Sequence, residues 1–525
     1  MRAVCVIICA RVRAMFRRKR QALTVSDDAS PESAAVSLSA TDARASLLYR
    51  LRDFMRDMGR YATSNDRRML QLIIAAACLF VSFSIGIAHL HEYYIRGWEL
   101  WVWLLCCAVI IITLAPIRLR RFRVDARLGV LFLVILAAFV LRAILLDSIP
   151  GGLHVDETGV AGYTMDQVHL GSNQTISPFI VGLDSHPTLY FYLIKLFISV
   201  FGYTIAGLRS ASVLAGTLAV LATYFCVAVW NNRRMALIAA ILIAAYHFHV
   251  HWSRLALNNI WDTVWVPAMI GAYAWGWKNC NSAGAALAGA ALGFMLYFYQ
   301  GGRVTILLLL FIIAWLWWKE RDNQRLVLHL GKLAAVAMCI ALPLALFAIT
   351  EPDPFFARLH TVFGWRPEVI QEITGSATDY WQFFWYQLTR SAGAYTAFTD
   401  ITGFYRPLTP LTIGLSMLLL PIGFGWAIYK RMWVPVVWLV LVTFFGGFLL
   451  AGAPSSSHYV TAIPAICWLI AIAIDILNER GHPRLALVVL AIVVLTDLVF
   501  YFGIYRLSPS GDLSLPFPPI PPPAS

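Results

Sequence analysis

Residues 150–157 read PGGLHVDE and directly follow an apolar run at 127–147. That run is long enough to cross the ~30 Å hydrocarbon core of a bilayer as a helix. Two adjacent carboxylates, Asp156 and Glu157, therefore stand at the mouth of a membrane helix, where charge is costly and usually functional. The alternative is a hydrated pair that only caps the next helix, because acidic side chains stabilise a helix N-terminus.

The composition of the chain is that of a polytopic membrane protein. Its 525 residues are 60% hydrophobic and 13% charged, with a mean hydropathy of +0.70, whereas soluble domains average about 25% charged residues. Repeated apolar runs predict an all-α protein that crosses the membrane with thirteen helices. We place these spans at 69–90, 99–117, 127–147, 207–230, 234–252, 262–277, 282–300, 303–318, 326–349, 410–429, 432–451, 461–477 and 484–504.

The distribution of basic residues predicts the orientation of the chain. The net charge is +13, and the tail 1–68 carries 14 Lys and Arg against 7 Asp and Glu. With the N-terminus in the cytosol, 30 of the 41 Lys and Arg fall on the cytosolic side. This is the positive-inside pattern of a multi-pass protein of the plasma (inner) membrane. We therefore expect no nucleic-acid partner, and we place the two carboxylates and the C-terminus outside.

Four regions follow from this reading. They are a basic cytosolic tail at 1–68 with an amphipathic or disordered segment, two additional N-terminal spans at 69–126, a transmembrane domain at 127–505, and a Pro-rich tail at 506–525. Outer loops 148–206 and 350–409 are long and are the expected place for function. Within them we predict a short helix at 157–170 and interfacial helices at 187–203 and 379–398. The nine cysteines fall in no outer loop, so no disulfide framework is indicated.

Further polar groups cluster at the predicted outer ends of the spans. His186 begins the interfacial helix, Arg254 ends the motif HFHVHWSR, and Arg303 ends YFYQGGR. An arginine beside two glycines suits a phosphate, although snorkelling to lipid headgroups is an equal alternative. The alternating histidines at 247–251 cannot readily share one ion on a helix, because positions i and i+2 face different directions. His458 and Tyr459 occupy a short outer loop nearby.

These motifs resemble the GT-C membrane glycosyltransferases. The resemblance rests on PGGLHVDE, Tyr163, the stretch HPTLYFY from His186, Ser253-Arg254 and YFYQGGR, and it covers roughly 127–505. The most similar group is the family-39-like set of dolichyl-phosphate-mannose–protein mannosyltransferases and the lipid A aminoarabinose transferase. The resemblance implies a GT-C fold and an inverting sugar transfer from a polyprenyl-phosphate donor on the outer face.

The resemblance also implies roles for individual residues. Asp156 falls on the position of the proposed catalytic base, Glu157 is the paired acid, and Arg303, Arg254 and His186 are expected at the donor phosphate. Ser185 replaces a glutamate of the aminoarabinose transferase, so a metal site shared with that enzyme is in doubt. We assign no cofactor and no metal ligand, and dependence on a divalent metal ion stays an open question. The expected substrate pocket contains Tyr163, Tyr190, Asn258, Tyr297, His458 and Tyr459.

The expected partners are a polyprenyl-phosphate sugar donor, membrane lipid and an acceptor that is a protein, a glycolipid or a polysaccharide. Two other classes remain as alternatives: a flippase or transporter of lipid-linked sugars, and a non-catalytic GT-C scaffold. A transporter should carry ionisable residues near the bilayer midplane. The predicted spans contain few such residues, with Asp497 as the main exception, which favours the transferase.

Overall fold

The computed structural model describes residues 68–90, 92–116, 126–172, 174–400, 404–405 and 409–506. The basic tail with its predicted amphipathic segment, most of the arginine-rich loop 118–127 and the Pro-rich tail lie outside these residues. The described chain from Leu70 onward falls in one compact unit. All helices and strands described below belong to this unit, except that the first helix begins two residues before it, at Arg68.

The first half of the described chain is a series of apolar helices interrupted by two very short strands. Its elements are α1 (Arg68–Ala88), β1 (Tyr94–Ile95), α2 (Trp98–Leu114), α3 (Ala126–Ala143), α4 (Val155–Gln167), β2 (Thr175–Ile176), a 3-10 turn (Leu183–Ser185), α5 (Leu189–Phe201), α6 (Ile205–Trp230), α7 (Arg233–Ala245) and α8 (His247–Trp252). β1 pairs with β2 in antiparallel register, with Tyr94 opposite Ile176 and Ile95 opposite Thr175. This pairing joins the first outer loop to the loop that follows α4.

The second half continues with helices that end in short irregular turns. Its elements are a 3-10 turn (Asn258–Trp261), α9 (Asp262–Lys278), α10 (Ala283–Met295), α11 (Gln300–Arg303), α12 (Thr305–Glu320), α13 (Asn323–Thr350), α14 (Pro352–Val362), α15 (Pro367–Thr374), α16 (Tyr380–Gly393), α17 (Ser416–Tyr429), α18 (Trp433–Thr443) with a π-helical end (Phe444–Phe448), α19 (Ser456–Tyr459), a 3-10 turn (Val460–Ala462), α20 (Ile463–Glu479) and α21 (Pro483–Val499) with a π-helical end (Phe500–Tyr505). The all-α polytopic class is confirmed.

Each of the thirteen predicted spans overlaps a helix of the structure. By length and composition, six helices among the described residues can cross a membrane: Arg68–Ala88, Ile205–Trp230, Gln300–Glu320, Asn323–Thr350, Ser456–Glu479 and Pro483–Tyr505. The remaining apolar helices are shorter, so the count of thirteen crossings stays a prediction. α5 has 13 residues and is about 20 Å long; its assignment as an interfacial helix stays a prediction.

Several of the shorter helices are short because the backbone breaks near the outer loops. Tyr246 separates α7 from α8, and residues 296–299 separate α10 from α11. Broken backbone leaves N–H and C=O groups without helical partners, and these must be satisfied inside the protein at membrane depth. The breaks therefore identify the part of the bundle in which polar groups have to be gathered.

The core of the bundle surrounds α20. In the apolar window of the span Ser456–Glu479, 94% of the residues are buried inside the protein. α20 packs against α7, α17 and α18, while α9 packs between α6 and α10, and α10 packs on α13. Small residues permit the closest of these contacts: a Cβ on Gly423 would lie 1.9 Å from the Leu469 carbonyl oxygen.

Candidate active site

A cavity of about 480 Å³ opens beside the N-terminus of α4. Carboxylates, amides and aromatic rings from the two long outer loops and from the breaks after α8 and α10 meet around it. Its walls consist of Asp156, Val160, Leu183, Asp184, His186, Tyr190, Phe191, Leu257, Asn258, Asn259, Tyr299, Arg358, Phe404 and Ser457. Four predicted site residues, Asp156, His186, Tyr190 and Asn258, are thus brought together from separate parts of the sequence.

Asp156 lies in the first turn of α4 with its side chain 34% exposed. The turn is closed by a capping box: the His154 side chain accepts from the Asp156 N–H (3.1 Å), and the Glu157 side chain accepts from the His154 N–H (3.1 Å). Burial raises the pKa of the Asp156 carboxyl above its ordinary value, as does Asp184, while His154 and Arg358 oppose the shift. A carboxyl with a raised pKa in a cavity has the properties of a general base.

Glu157 is not among the residues that line the cavity, and both of its carboxylate oxygens accept hydrogen bonds inside the protein. Arg209 Nε and Nη2 donate to its two oxygens, each at 2.9 Å, and the Ala256 N–H donates to Oε1 at 2.8 Å. Both side chains of the ion pair are completely buried. The expected catalytic role of Glu157 is therefore corrected: its oxygens already accept four hydrogen bonds, and they anchor α4 to α6.

Arg254 is likewise unavailable for the predicted phosphate contact. Its guanidinium donates to five backbone carbonyls at the end of α3 and beyond, those of Leu141, Arg142, Ile144, Leu145 and Ile149, at 2.6–2.9 Å. These include carbonyls that a helix C-terminus leaves without intrahelical donors. We correct the sequence prediction accordingly: Arg254 caps α3 in the protein interior.

Two further buried arginines follow the same pattern. Arg142 donates to the Ala138, Ile243 and Ala244 carbonyls and contacts His249 Nδ1 at 2.7 Å. Arg209 adds the Leu146, Pro150 and Gly152 carbonyls to its contacts with Glu157. The buried arginines of this region therefore serve mainly as hydrogen-bond donors to backbone carbonyls that lack helical partners, rather than as ligand-binding residues.

His186 lines the cavity at the end of a strained turn. Burial, reinforced by Arg358 and Arg303, lowers its pKa to about 4, so the imidazole is neutral at pH 7. The Asn258 amide donates to the Phe298 carbonyl at 3.0 Å and lies 3.1 Å from His186 Nδ1. With the amide oriented in this way, Nδ1 accepts and the ring proton is on Nε2. His186 is therefore a neutral hydrogen-bond donor toward a ligand.

The turn that carries His186 has an unusual backbone. Asp184 and Ser185 have φ of +49° and +60°, a left-handed conformation that costs about 1–3 kcal/mol for each non-glycine residue. The Gln300 side chain donates to the Ser185 carbonyl at 3.1 Å. Gln300 belongs to the sequence motif YFYQGGR, and its contact with the turn links the two motifs.

Arg303 retains uncommitted hydrogen-bonding capacity. Its Nε and Nη2 atoms are buried and have no hydrogen-bond partner among the described residues. The guanidinium lies 4.4 Å from the centre of the Phe355 ring in α14. Arg303 is not part of the cavity wall. Its charge nevertheless lowers the pKa of His186, which does line the cavity. Of the two arginines predicted at the donor phosphate, only Arg303 is left with free donors.

Arg358 is a cavity residue that the sequence reasoning missed. It lies three residues after Phe355 in α14, so both side chains occupy the same face of that helix. α14 packs on the turn Leu183–Ser185, and among the described residues no carboxylate lies within 4 Å of Arg358. An arginine in a long outer loop was a detectable signal, but nothing in the sequence indicated which element α14 would contact.

The predicted pocket residues divide into four groups. Tyr190 and Asn258 line the cavity, and His458 lines a second cavity of about 680 Å³. Tyr163 lies behind the wall with its ring against Phe191. Tyr297 and Tyr459 are completely buried and donate to the Ile340 and Ser391 carbonyls. The prediction is therefore wrong for Tyr297 and Tyr459, because these rings fill the bundle core.

The two cavities share part of their walls. Arg358, Phe404 and Ser457 line both, and the second cavity adds Thr361, Val362, Ala451, Gly452, Ser455 and His458. Phe404 also stacks on His154 with ring centres 4.5 Å apart. A thin layer of side chains thus separates the Asp156 cavity from a neighbouring space lined by small and hydroxyl-bearing residues.

The described residues contain no group of three or more His, Cys, Asp or Glu placed to hold a metal ion. The alternating histidines serve separate contacts: His247 with the Tyr405 hydroxyl, His249 with Arg142 and Thr263, and His251 with the Phe404 carbonyl. Asp497 lies 3.8 Å from His247 and lines neither cavity. This buried ionisable residue therefore belongs to the core network.

Comparisons with known proteins agree with the resemblance to membrane glycosyltransferases. Residues 185–347 match the family model of dolichyl-phosphate-mannose-protein mannosyltransferase. This segment includes His186, Asn258 and Arg303 but not Asp156. The resemblance to GT-C membrane glycosyltransferases is confirmed.

The chain is similar to curated undecaprenyl phosphate-alpha-4-amino-4-deoxy-L-arabinose arabinosyl transferases. That of Pseudomonas savastanoi pv. phaseolicola is 27% identical over 325 residues, covering 59% of this chain and 55% of the relative. That of Pseudomonas aeruginosa PAO1 is 28% identical over 297 residues, covering 54% and 48%. The chain thus spans about half the length of the curated relatives it matches.

Two solved structures are also similar. The Archaeoglobus fulgidus oligosaccharyltransferase AglB, in complex with an inhibitory peptide and a dolichol-phosphate, gives a TM-score of 0.45 at 15% identity, covering 74% of this chain and 56% of AglB. ArnT from Cupriavidus metallidurans bound to undecaprenyl phosphate gives a TM-score of 0.43 at 16% identity, covering 70% and 62%.

Proposed function

We propose that this protein transfers a sugar from a polyprenyl-phosphate-linked donor to an acceptor on the outer face of the membrane. One observation carries the proposal: the Asp156 carboxylate in the cavity wall and the nearby Arg303 guanidinium keep free hydrogen-bonding capacity, whereas Glu157, Arg209 and Arg254 are hydrogen-bonded inside the protein. A base in the same cavity wall as the neutral His186, and a cation that acts on His186, suit an acceptor that loses a proton and a donor that loses a phosphate.

The proposed reaction is a single displacement. Asp156 accepts a proton from an acceptor hydroxyl or amine, and the acceptor atom attacks the anomeric carbon from the face opposite the phosphate. The bond from the anomeric carbon to the phosphate oxygen breaks, its electrons stay with the polyprenyl phosphate, and the configuration inverts. Because the leaving group departs as an anion, the chain needs cationic and N–H donors there rather than a general acid.

Arg303 and His186 supply those donors. The Arg303 Nε and Nη2 atoms lack partners and can bind two phosphate oxygens in the fork geometry of a guanidinium. The neutral His186 ring donates from Nε2 while Asn258 holds Nδ1. Gly301 and Gly302 precede Arg303, and a Cβ on Gly302 would lie 2.7 Å from Asp262 Oδ1. The close approach of α11 to α9 thus depends on the absence of a side chain.

The relatives support the donor class. They are arabinosyl transferases named for an undecaprenyl-phosphate-linked aminosugar, and the matched family model describes enzymes that use dolichyl-phosphate-mannose. Both donors consist of a polyprenyl chain, a single phosphate and one sugar. We extend that donor class to this chain and place the cavity on the outer side of the plasma (inner) membrane, where the positive-inside distribution orients it.

The proposal is tested with purified protein in nanodiscs and synthetic polyprenyl-phosphate sugars that differ in the sugar. Extracted native lipid supplies glycolipid acceptors, and a peptide mixture and cell-wall polymer supply the others. Mass spectrometry should detect free polyprenyl phosphate together with an acceptor heavier by one sugar. Movement of a fluorescent lipid-linked sugar between leaflets without any product would instead assign a transporter. Absence of both activities with every donor would leave the scaffold reading.

A further inference from the structure

We propose that the N-terminal hairpin α1–β1–α2 is a positioning element for the active-site turn that carries His186. This inference rests on the proposed sugar transfer, and it assigns a role to two spans that lie outside the resemblance to glycosyltransferases. No described residue of the hairpin is among those that line the two cavities. It reaches the cavity through a continuous set of backbone contacts that begins at β1 and ends at His186.

The first step is the pairing of β1 with β2. Ile95 stands opposite Thr175, and the Ser177 N–H donates to the Tyr93 carbonyl at 2.7 Å. The Gly97 N–H adds a bond to the Ser172 carbonyl at 3.2 Å, and a Cβ on Gly97 would lie 3.1 Å from that oxygen. The segment after α4 is therefore attached along its length to the loop between the two N-terminal spans.

The second step leads from β2 to the active-site turn. The Thr188 hydroxyl lies within hydrogen-bonding distance of the Ser177 and Ile180 carbonyls, and the Thr188 N–H donates to Ile180 at 3.0 Å. The Gly182 N–H then donates to the His186 carbonyl at 2.8 Å. Residues 177–188 thus form a closed loop whose base is tied to β1 and whose tip contains Asp184 and His186.

The hairpin itself is firmly seated, which lets it serve as a reference point. Trp103 of α2 is completely buried, with its ring edge-on to Phe179 at 5.3 Å between centres and to Tyr297 at 5.3 Å. α2 packs on α10 and α13. The Glu99 carboxylate lies 3.0 Å from His89 Nε2 and accepts from the Arg96 N–H, closing the loop that contains β1.

A strained tip explains why such support is needed. Left-handed φ values at two consecutive non-glycine residues persist only where the surroundings hold the backbone in place. One restraint is the Gln300 contact to Ser185, on the donor side of the cavity. The ladder from β1 is the second restraint. Loss of the ladder should let the tip relax and displace His186 from the position at which it can donate to the leaving phosphate.

Two proline variants of β1 test the proposal as a matched pair. In the observed register the Ile95 N–H points to β2, whereas the Tyr94 N–H points away. Proline lacks an N–H, so Ile95→Pro removes a ladder bond that Tyr94→Pro keeps. Hydrogen exchange of the peptide 177–188 should be at least about tenfold faster in Ile95→Pro than in Tyr94→Pro. kcat should fall by about ten- to a hundredfold in Ile95→Pro alone.

A cross-link provides the rescue. Tyr94 and Ile176 face each other across the ladder, so Tyr94→Cys combined with Ile176→Cys can form a disulfide there. In the Ile95→Pro background, this disulfide should slow the exchange of 177–188 and restore kcat, and its reduction should reverse both effects.

The outcomes separate this inference from the proposed function. Equal exchange and equal kcat in the two proline variants would overturn the positioning role, as would loss of kcat without faster exchange at 177–188. Because hydrogen exchange needs no substrate, it decides the coupling even if the wild-type protein transfers no sugar. In that event the proposed function fails, while faster exchange in Ile95→Pro still establishes the link from β1 to the turn.

Discussion

Arg209 holds Glu157 by two hydrogen bonds of 2.9 Å, and both side chains are completely buried. The pair joins α6 to the first turn of α4, and Glu157 also receives the N–H groups of His154 and Ala256. Its neighbour Asp156 consequently faces the cavity. Two carboxylates that are adjacent in sequence thus have opposite environments, one closed by an ion pair and one partly open.

Removal of the cation from this pair should destabilise the protein without acting on the chemistry. Arg209→Met leaves the Glu157 carboxylate buried without its partner, which costs about 3–5 kcal/mol. Thermal unfolding in detergent should show a lower midpoint. Arg366→Met, at an exposed arginine of the second long loop, is the control and should change stability by less than about 0.5 kcal/mol. Equal midpoints would show that Glu157 does not depend on Arg209.

Asp156→Asn should remove the catalytic base while leaving the fold intact. We expect turnover to fall by at least about 10²-fold, with an unchanged unfolding midpoint, because asparagine is nearly isosteric and the side chain is partly exposed. Asp184→Asn, which changes the other carboxylate of the cavity wall, is the comparison. If Asp184→Asn loses turnover and Asp156→Asn keeps it, the base is Asp184.

The pH dependence should report the environment of Asp156. The base acts when it is deprotonated, and burial raises its pKa, so the acid limb of kcat/KM should lie above the ordinary aspartate value of about 3.9. Arg358 holds this pKa down. Arg358→Gln should therefore move the acid limb to higher pH, whereas Arg366→Gln should leave it in place. A shift to lower pH would contradict the assignment of the base.

The two arginines that the resemblance implicates at the phosphate should behave differently. Arg303→Gln removes free donors and should weaken the apparent affinity for a polyprenyl-phosphate donor by about tenfold or more, at little cost in stability. Arg254→Gln withdraws bonds from the carbonyls of α3 and should lower the unfolding midpoint. Donor titration by tryptophan fluorescence, with thermal scans of both variants, measures this contrast. Similar donor affinity in Arg303→Gln and wild type would remove Arg303 from the phosphate site.

His186 should act as a neutral donor throughout the physiological range. Because its pKa is lowered to about 4, turnover should show no step near pH 6.5 that depends on this residue. His186→Gln keeps an N–H donor and should retain more activity than His186→Leu, by about tenfold. A pH profile that loses an inflection near 6.5 in His186→Gln would show instead that a protonated imidazole is required.

The helices were predictable because a membrane helix is specified locally. Apolar runs must satisfy their own backbone in lipid, so composition alone locates them. The prediction of α5 as an interfacial helix rests instead on charge, since a crossing there would invert the later loops and place their arginines outside. The breaks at Tyr246 and after Met295 could not be located in this way, because they depend on donors supplied from elsewhere in the bundle.

The roles of individual polar residues were only partly predictable. Asp156, His186 and Asn258 were expected at one site and line one cavity. The sequence cannot tell Asp156 from Glu157, because the difference is made by Arg209, which is 52 positions from Glu157. Likewise, only the position of α3 shows that Arg254 donates to backbone carbonyls rather than to a ligand. Only the hydrogen bond to the Ile340 carbonyl shows that Tyr297 belongs to the core. Tertiary contacts of this kind leave no local pattern.

The wall that Arg358, Phe404 and Ser457 share between the two cavities has a kinetic consequence. In the proposed transfer, the two adjacent chambers would hold donor and acceptor at the same time, so we expect a ternary complex before transfer and no covalent glycosyl intermediate on the protein. Initial-rate lines at several acceptor concentrations should intersect rather than run parallel. Hydrolysis of the donor in the absence of acceptor should be slow, since only the filled second chamber presents a nucleophile to the sugar.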